Sequence, residues 1–177
     1  MKKSTLGLLC ILLTTKTFAL KITSTSIQQD KPLNEAQVAN NFGCHGNNLS
    51  PELSWSDAPK DTKSFAVTLY DPDAPTGSGF WHWVVYDINK NTNSLIQGSS
   101  NSIHMPNGSI EAMNDAGVKG YLGACPPHSR HRYIFTVYAL NTDKLPINSN
   151  AAQAVVRFMI MAHTIDKKSI TTYYTRP

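Results

Sequence analysis

Apolar residues along this chain fall into short runs, most of them with a period of two, separated by Pro, Gly, Asn and Asp. The stretch around which the rest is arranged is FAVTLYDPDAPTGSGFWHWVVYD, Phe65 to Asp87. Phe65 to Tyr70 reads as an apolar strand and Phe80 to Tyr86 as an aromatic one. Pro72, Pro75, Gly77 and Gly79 supply turn chemistry between them, so the two strands are expected to pair antiparallel across a loop. Side chains alternate faces along a strand. Phe65, Val67, Leu69 and Asp71 are then expected on one face, and His82, Val84 and Tyr86 together on one face of the neighbour. A carboxylate and an imidazole would extend apolar rows at the same end of a sheet, where they could meet and form the mouth of a pocket.

The same pattern predicts further elements. Lys21 to Ile27 alternates as an edge strand, Leu53 to Trp55 is a short strand, and Ser169 to Arg176 a last one. His131 to Leu140 turns apolar on both faces towards its end, so it is expected to be central in a sheet. His131, Tyr133, Phe135 and Val137 share a face. Asn89 to Asn114 is an Asn/Ser/Gly-rich surface segment with Leu95-Ile96 and Ile103 as its anchors. One helix is predicted from Asn150 to Lys167, capped by Asn148 or Ser149 and apolar round most of its circumference. Strands outnumber helices and the helix comes late, which predicts a mainly β, mostly antiparallel domain with one or two peripheral helices.

Residues 1–19 do not belong to that domain. Lys2 and Lys3, the apolar run Leu6 to Leu13, and Thr17-Phe18-Ala19 have the layout of a secretory signal peptide cleaved after Ala19. The apolar run is too short to span a membrane. The mature chain is expected to be one domain, 20–177, in the periplasm or secreted. The whole chain has 16 Lys and Arg against 12 Asp and Glu; losing Lys2, Lys3 and Lys16 leaves 13 against 12, a balance of +1. No basic cluster remains to track a phosphate backbone, so nucleic acid is not an expected partner. Two cysteines stay, Cys44 and Cys125, each in a Gly- or Pro-rich loop. In an exported protein an even pair suggests a disulfide; free thiols, or metal ligation together with His45, are the alternatives.

Taken singly, Asp71 before Pro72 is a turn residue and His82 a structural strand histidine. Pro126 to Leu140, PPHSRHRYIFTVYAL, repeats the arrangement: His131 and Tyr133 extend an apolar row beside a Pro-rich loop, with Arg130 and Arg132 flanking. Three segments, GCHGNNLSPELSW, DPDAP followed by GFWHWV, and GYLGACPPHSRHRYIFTVYAL, resemble the phosphatidylethanolamine-binding protein family in its bacterial Raf-kinase-inhibitor-like branch. The resemblance spans roughly Asn40 to Tyr174. It implies a β-sandwich on a central antiparallel sheet, with a pocket for phosphate or phospholipid-headgroup-like anions at one end. That pocket maps onto Asp71, His82, His131 and Tyr133, with Pro126 and Pro127 as a wall and Asp73 holding the loop.

Asp71 would face the anion unless it orients an imidazole; next to His82 it would help keep that ring charged. Two features depart from the family pattern. Ser129 stands where Gly is usual, two residues before His131, and Arg130 beside it could add charge at the mouth. The sequence also lacks, after Tyr174, the helix that covers the pocket in eukaryotic members, which implies a more open pocket.

The function expected from all this is an exported, non-enzymatic binding protein without a cofactor. Its ligand would be an anion, and it could regulate a protein target such as a kinase or protease. A homodimer is compatible with the sequence. The alternative is a hydrolase or metalloenzyme using Asp71, His82 and His131, which has the residue types of a facial triad. No Ser or Cys stands in a nucleophile motif.

Overall fold

The computed structural model of this chain describes residues 19–148 and 150–177. The expected leader up to Phe18 and the alternative cap Ser149 lie outside the described residues. Eight strands and one α-helix follow in order: β1 (Lys21–Thr23), β2 (Leu53–Ser56), β3 (Ser64–Asp71), β4 (Phe80–Asn89), β5 (Ser94–Leu95), β6 (Ile110–Glu111), β7 (Arg130–Leu140), α1 (Gln153–His163) and β8 (Thr164–Thr175). A three-stranded sheet, β1-β2-β5, faces a five-stranded one, β6-β4-β3-β7-β8, and every strand pairing is antiparallel.

The central sheet is apolar on both faces. Its inner face carries Phe65, Val67, Leu69, Val85, Phe135 and Val137, packed against Leu53, Trp55 and Leu95 of the small sheet. Its outer face carries Ala66, Val84, Tyr86 and Tyr138, packed against Val156 and Ile160 of α1. Burial on both sides is why β3 and the end of β7 read as continuous apolar runs.

Several boundaries differ from the pattern-based expectation. β1 ends at Thr23, not Ile27, because Ser24 Oγ accepts from the N–H groups of Ser26 and Ile27 at 3.1 Å each and turns the chain. The helix spans Gln153–His163 rather than Asn150 to Lys167, and Ala152 caps it without a side-chain bond. Thr164 and Ile165 are β-branched, and from Thr164 the chain pairs with β7 instead. Only one face of α1 is buried: Phe158 is 68 % exposed and Met161 60 %. In the long surface segment Leu95 anchors, but Ile96 is exposed and Ile103 is 95 % exposed. The working anchor there is polar. Glu111 accepts from Trp83 Nε1 at 2.7 Å, Ser100 Oγ at 2.6 Å and the Asn101 N–H at 2.8 Å.

Candidate functional site

Three central strands end at the same edge of the molecule. Asp71 closes β3, His82 opens β4, and His131 and Tyr133 open β7. All four line a cavity of about 520 Å³, together with Pro126 and Pro127.

Strict alternation would put His82 on the outer face with Val84 and Tyr86. A bulge prevents this. Leu69 pairs with Trp83 and Tyr70 with Trp81, so His82 is the extra residue. Trp81 then packs on the helix side and Trp83 between the sheets, and His82 turns into the cavity, in ring contact with Tyr133 at 5.4 Å. The expected row His82, Val84, Tyr86 is therefore broken at its first member. Bulges re-aim side chains in this way beside functional sites.

Asp71 does not orient His82. Its Oδ2 accepts from His131 Nδ1 at 2.7 Å, both groups being buried, while its Oδ1 accepts the Asp73 N–H at 2.8 Å. His82 Nδ1 donates to the Leu122 carbonyl at 3.0 Å. That carbonyl is placed from afar. Asn48, in the N-N-L-S-P loop, accepts the Gly123 N–H at 2.7 Å and donates to Tyr121 O at 3.4 Å. Gly123 itself admits no side chain, since a Cβ there would lie 2.4 Å from the Ala39 nitrogen.

The two imidazoles are thus fixed through Nδ1, and Nε2 of each is the atom left for a ligand. Burial pushes His82 down to about 4, outweighing the pull of Asp71 and of the Leu122 carbonyl. The expectation that Asp71 keeps this ring charged is corrected: at neutral pH it is a neutral ring donating from Nδ1 and accepting at Nε2. Burial, followed by the Asp71 charge, pushes the Tyr133 phenol above its ordinary value. Its buried hydroxyl makes no hydrogen bond of ordinary geometry, although the Asp71 carboxylate and the Cys125 backbone lie near it, and it stays a neutral O–H facing the cavity.

Asp73 is not on the cavity wall. It forms a fork with Arg132, Nε to Oδ2 at 2.9 Å and Nη2 to Oδ1 at 2.6 Å, and accepts the Arg132 N–H at 2.8 Å. The Arg132 bonds hold its carboxyl down to about 2. This clamps the β3–β4 loop to β7, the loop-holding part expected of it. Arg130 is not at the mouth. Its guanidinium lies 3.8 Å over the Tyr173 ring, on a separate groove.

The cation that does line the cavity is Arg176. It donates from Nη2 to Phe42 O at 3.0 Å and contacts Cys125 Sγ at 3.3 Å. Phe42, Phe80 and Leu122 complete the apolar wall. Neither Arg176 nor Phe42 carried a motif signal; Phe80 could have been found as the residue that opens the histidine strand. Cys44 and Cys125 are joined by a disulfide, with Cα atoms 5.9 Å apart, so the Cys125 loop forms one side of the cavity. Ser129, in the place where Gly is usual, has φ +56°, a left-handed conformation that favours Gly. Among the described residues no three His, Cys, Asp or Glu side chains converge as a metal site requires. In particular, Asp71 and His131 are committed to each other.

A two-sheet antiparallel sandwich with this cluster at one end of its central sheet defines a phosphatidylethanolamine-binding-type protein. The family model described as "Phosphatidylethanolamine-binding protein" matches residues 23–175, and the chain belongs to that family. Among curated relatives, the Escherichia coli K12 UPF0098 protein YbcL is 44 % identical over 160 residues, 88 % of this chain and 87 % of that one. YbhB of the same organism is 43 % identical over 158 residues, 88 % of this chain and all of that one. The E. coli YbcL crystal structure, described as a new member of the mammalian PEBP family, matches with a TM-score of 0.86 at 42 % identity, over 89 % of this chain and 99 % of that one. A Chlamydia trachomatis homologue matches with a TM-score of 0.76 at 27 % identity, over 90 % and 99 %.

Proposed function

We propose that this chain is an exported, non-enzymatic binding protein whose cavity holds a phosphate or phospholipid-headgroup-like anion. One observation carries the reading. Buried polar groups converge in an otherwise apolar recess: the Asp71–His131 pair, the unpartnered Tyr133 hydroxyl and the Nε2 side of His82. Arg176 adds a positive charge on the wall. Pockets of this make-up, apolar with a few convergent polar groups, are ordinary ligand sites. A regulatory role towards a protein such as a protease or kinase belongs to the same proposal. Export would place that target outside the cytoplasm.

Neutral His82 offers a lone pair at Nε2, which an unprotonated oxyanion cannot use. Either His82 takes up a proton on binding, or a hydrogen phosphate donates its own P–OH to Nε2. The first route links one proton to binding, so affinity then rises as pH falls, by up to about tenfold per unit; the second links none for inorganic phosphate, which already carries a P–OH near neutral pH. Calorimetric titration of inorganic phosphate and of phosphoethanolamine checks the site. His82→Ala and His131→Ala are expected to weaken binding about 10- to 100-fold, from lost bonds of about 1.5–3 kcal/mol. Asp71→Ala is expected to weaken it too, through loss of His131 orientation. Unchanged affinity in both His variants, with the fold intact, removes the pocket from the account.

The Asp71–His131 pair also favours a second reading, since a carboxylate-held imidazole is the arrangement of a general base. It would have to activate water: Thr76 Oγ1 is bonded to the Gly79 carbonyl and Cys125 is in the disulfide. Hydrolysis of p-nitrophenyl acetate or bis(p-nitrophenyl) phosphate that disappears in His131→Ala would favour it over binding alone.

A further inference from the structure

Leu20 is where the chain enters the core. Its side chain is 2 % exposed and packs in the cluster between the sheets, whereas Ala19 is exposed. The Leu20 nitrogen donates to Asp166 Oδ2 at 2.8 Å, across 146 positions of sequence. The other oxygen, Oδ1, accepts the N–H of Lys167 at 2.8 Å, so the carboxylate is oriented by its own strand, β8. A carboxylate held by one oxygen and directed by the other at a main-chain nitrogen suits a group with more charge than an amide.

We propose that Asp166 is the receptor for the α-ammonium group of Leu20 that leader removal creates, and that this ion pair locks the processed N-terminus onto β8. The inference rests on the export reading above. Hydrolysis of the Ala19–Leu20 bond by a signal peptidase consumes one water. Its hydroxyl goes to the Ala19 carbonyl carbon, which leaves as a carboxylate with the leader. A proton goes to the Leu20 nitrogen, which takes up another at neutral pH. One neutral N–H donor becomes a cation with three N–H bonds, and the contact to Asp166 becomes charge-assisted.

The charged groups around this point leave Asp166 for Leu20. On β1, Lys21 pairs with Asp57 at 2.8 Å. On β8, the Lys167 ammonium lies 6.0 Å from the Tyr138 ring centroid and Lys168 is exposed. At the end of α1, His163 bonds Asn141 at 3.0 Å. An α-amino group ordinarily titrates near pH 7.7–8.0. A carboxylate in contact raises that value. The stabilisation is therefore complete below about pH 8 and is lost as pH rises through the raised value.

The test starts from the whole chain, residues 1–177, produced in a bacterium and recovered from the extracytoplasmic fraction. N-terminal sequencing identifies the first residue. Reductive methylation with ¹³C-formaldehyde, which keeps the charge, then allows the α-amine to be titrated by NMR in wild type and in Asp166→Asn. Leu20 is the expected first residue, titrating at least one pH unit higher in wild type than in the variant, a tenfold or larger difference in proton affinity. Asp166→Ser removes the same charge and replaces the Asn variant if that one folds poorly. A first residue other than Leu20 overturns both the cleavage position and the pairing. Leu20 as first residue, with the same titration in wild type and both variants, overturns the pairing and leaves the export reading standing.

Discussion

His82 is a polar ring sealed at the floor of the cavity, and its environment makes acid costly. An unfolded histidine titrates near 6.5, while burial holds His82 at about 4 in the fold. Between these values the unfolded chain binds more protons, so stability increases with pH across the window and is lost as pH falls from 6.5 towards 4. The full separation corresponds to about 3 kcal/mol. Urea denaturation at several pH values, compared between wild type and His82→Asn, isolates this contribution, because the carboxylates titrate in both proteins. A shallower pH slope in the variant is expected, and equal slopes would sink the assignment. Ser129 is a second residue held against its preference, at φ +56°. A non-Gly residue there costs about 1–2 kcal/mol, of which glycine's larger unfolded-state entropy returns about 0.4–1. Ser129→Gly is therefore expected to raise stability by up to about 1.6 kcal/mol, read as a higher urea midpoint at unchanged m-value.

β7 and β8 form the longest ladder of the molecule, and the outer edge of β8 is partly closed by the segment after β1: Leu33 N–H donates to Tyr173 O at 2.8 Å and Asp30 N–H to Thr171 O at 2.8 Å. The β7 side of the site was legible in the sequence, because alternation alone puts His131, Tyr133, Phe135 and Val137 on one face. β8 was half legible. Its second half alternates, but Thr164 to Lys167 reads as the last turn of the preceding helix and becomes strand only because β7 offers a partner. The bulge at His82 was not legible, since an extra residue in one strand is set by the register of its neighbour. Arg176 was not legible either. It reaches the cavity through the Phe42 carbonyl, a contact across 134 positions of sequence.

The Cys44–Cys125 bridge ties the loop after Phe42 to the loop before β7, across 81 positions. The chain-entropy account allows about 4–5 kcal/mol for such a closure. Reductant, or Cys44→Ser, is expected to lower the urea midpoint substantially and to weaken phosphate binding, since Cys125 lines the cavity. Non-reducing mass analysis showing two free thiols in protein recovered without reductant would reject the bridge.

Because the site is made from the ends of three strands of one doubly buried sheet, folding and binding are linked. A ligand that occupies the native cavity and not the unfolded chain stabilises by about 2.7 kcal/mol at 100 times its Kd. For a domain of this size that is roughly 5–11 °C in Tm. His82 gives the linkage a sign. As pH falls from 7 to 5 the free protein loses stability, because its buried neutral ring resists the proton that the unfolded chain accepts. Over the same range phosphate binding is expected to strengthen where a proton taken up at Nε2 is what joins His82 to an oxyanion. The Tm of the free protein should therefore fall while the increment produced by a fixed phosphate concentration grows. His131→Ala should keep the fall and lose the increment. His82→Asn should flatten the fall and remove the pH dependence of whatever increment survives. Thermal unfolding of the three proteins, with and without phosphate at pH 7, 6 and 5, reads all of this in one grid. A wild-type increment that stays constant across pH, beside a free-protein Tm that falls, would mean that His82 takes up no proton on binding, and that it meets the ligand, if at all, only through the ligand's own P–OH.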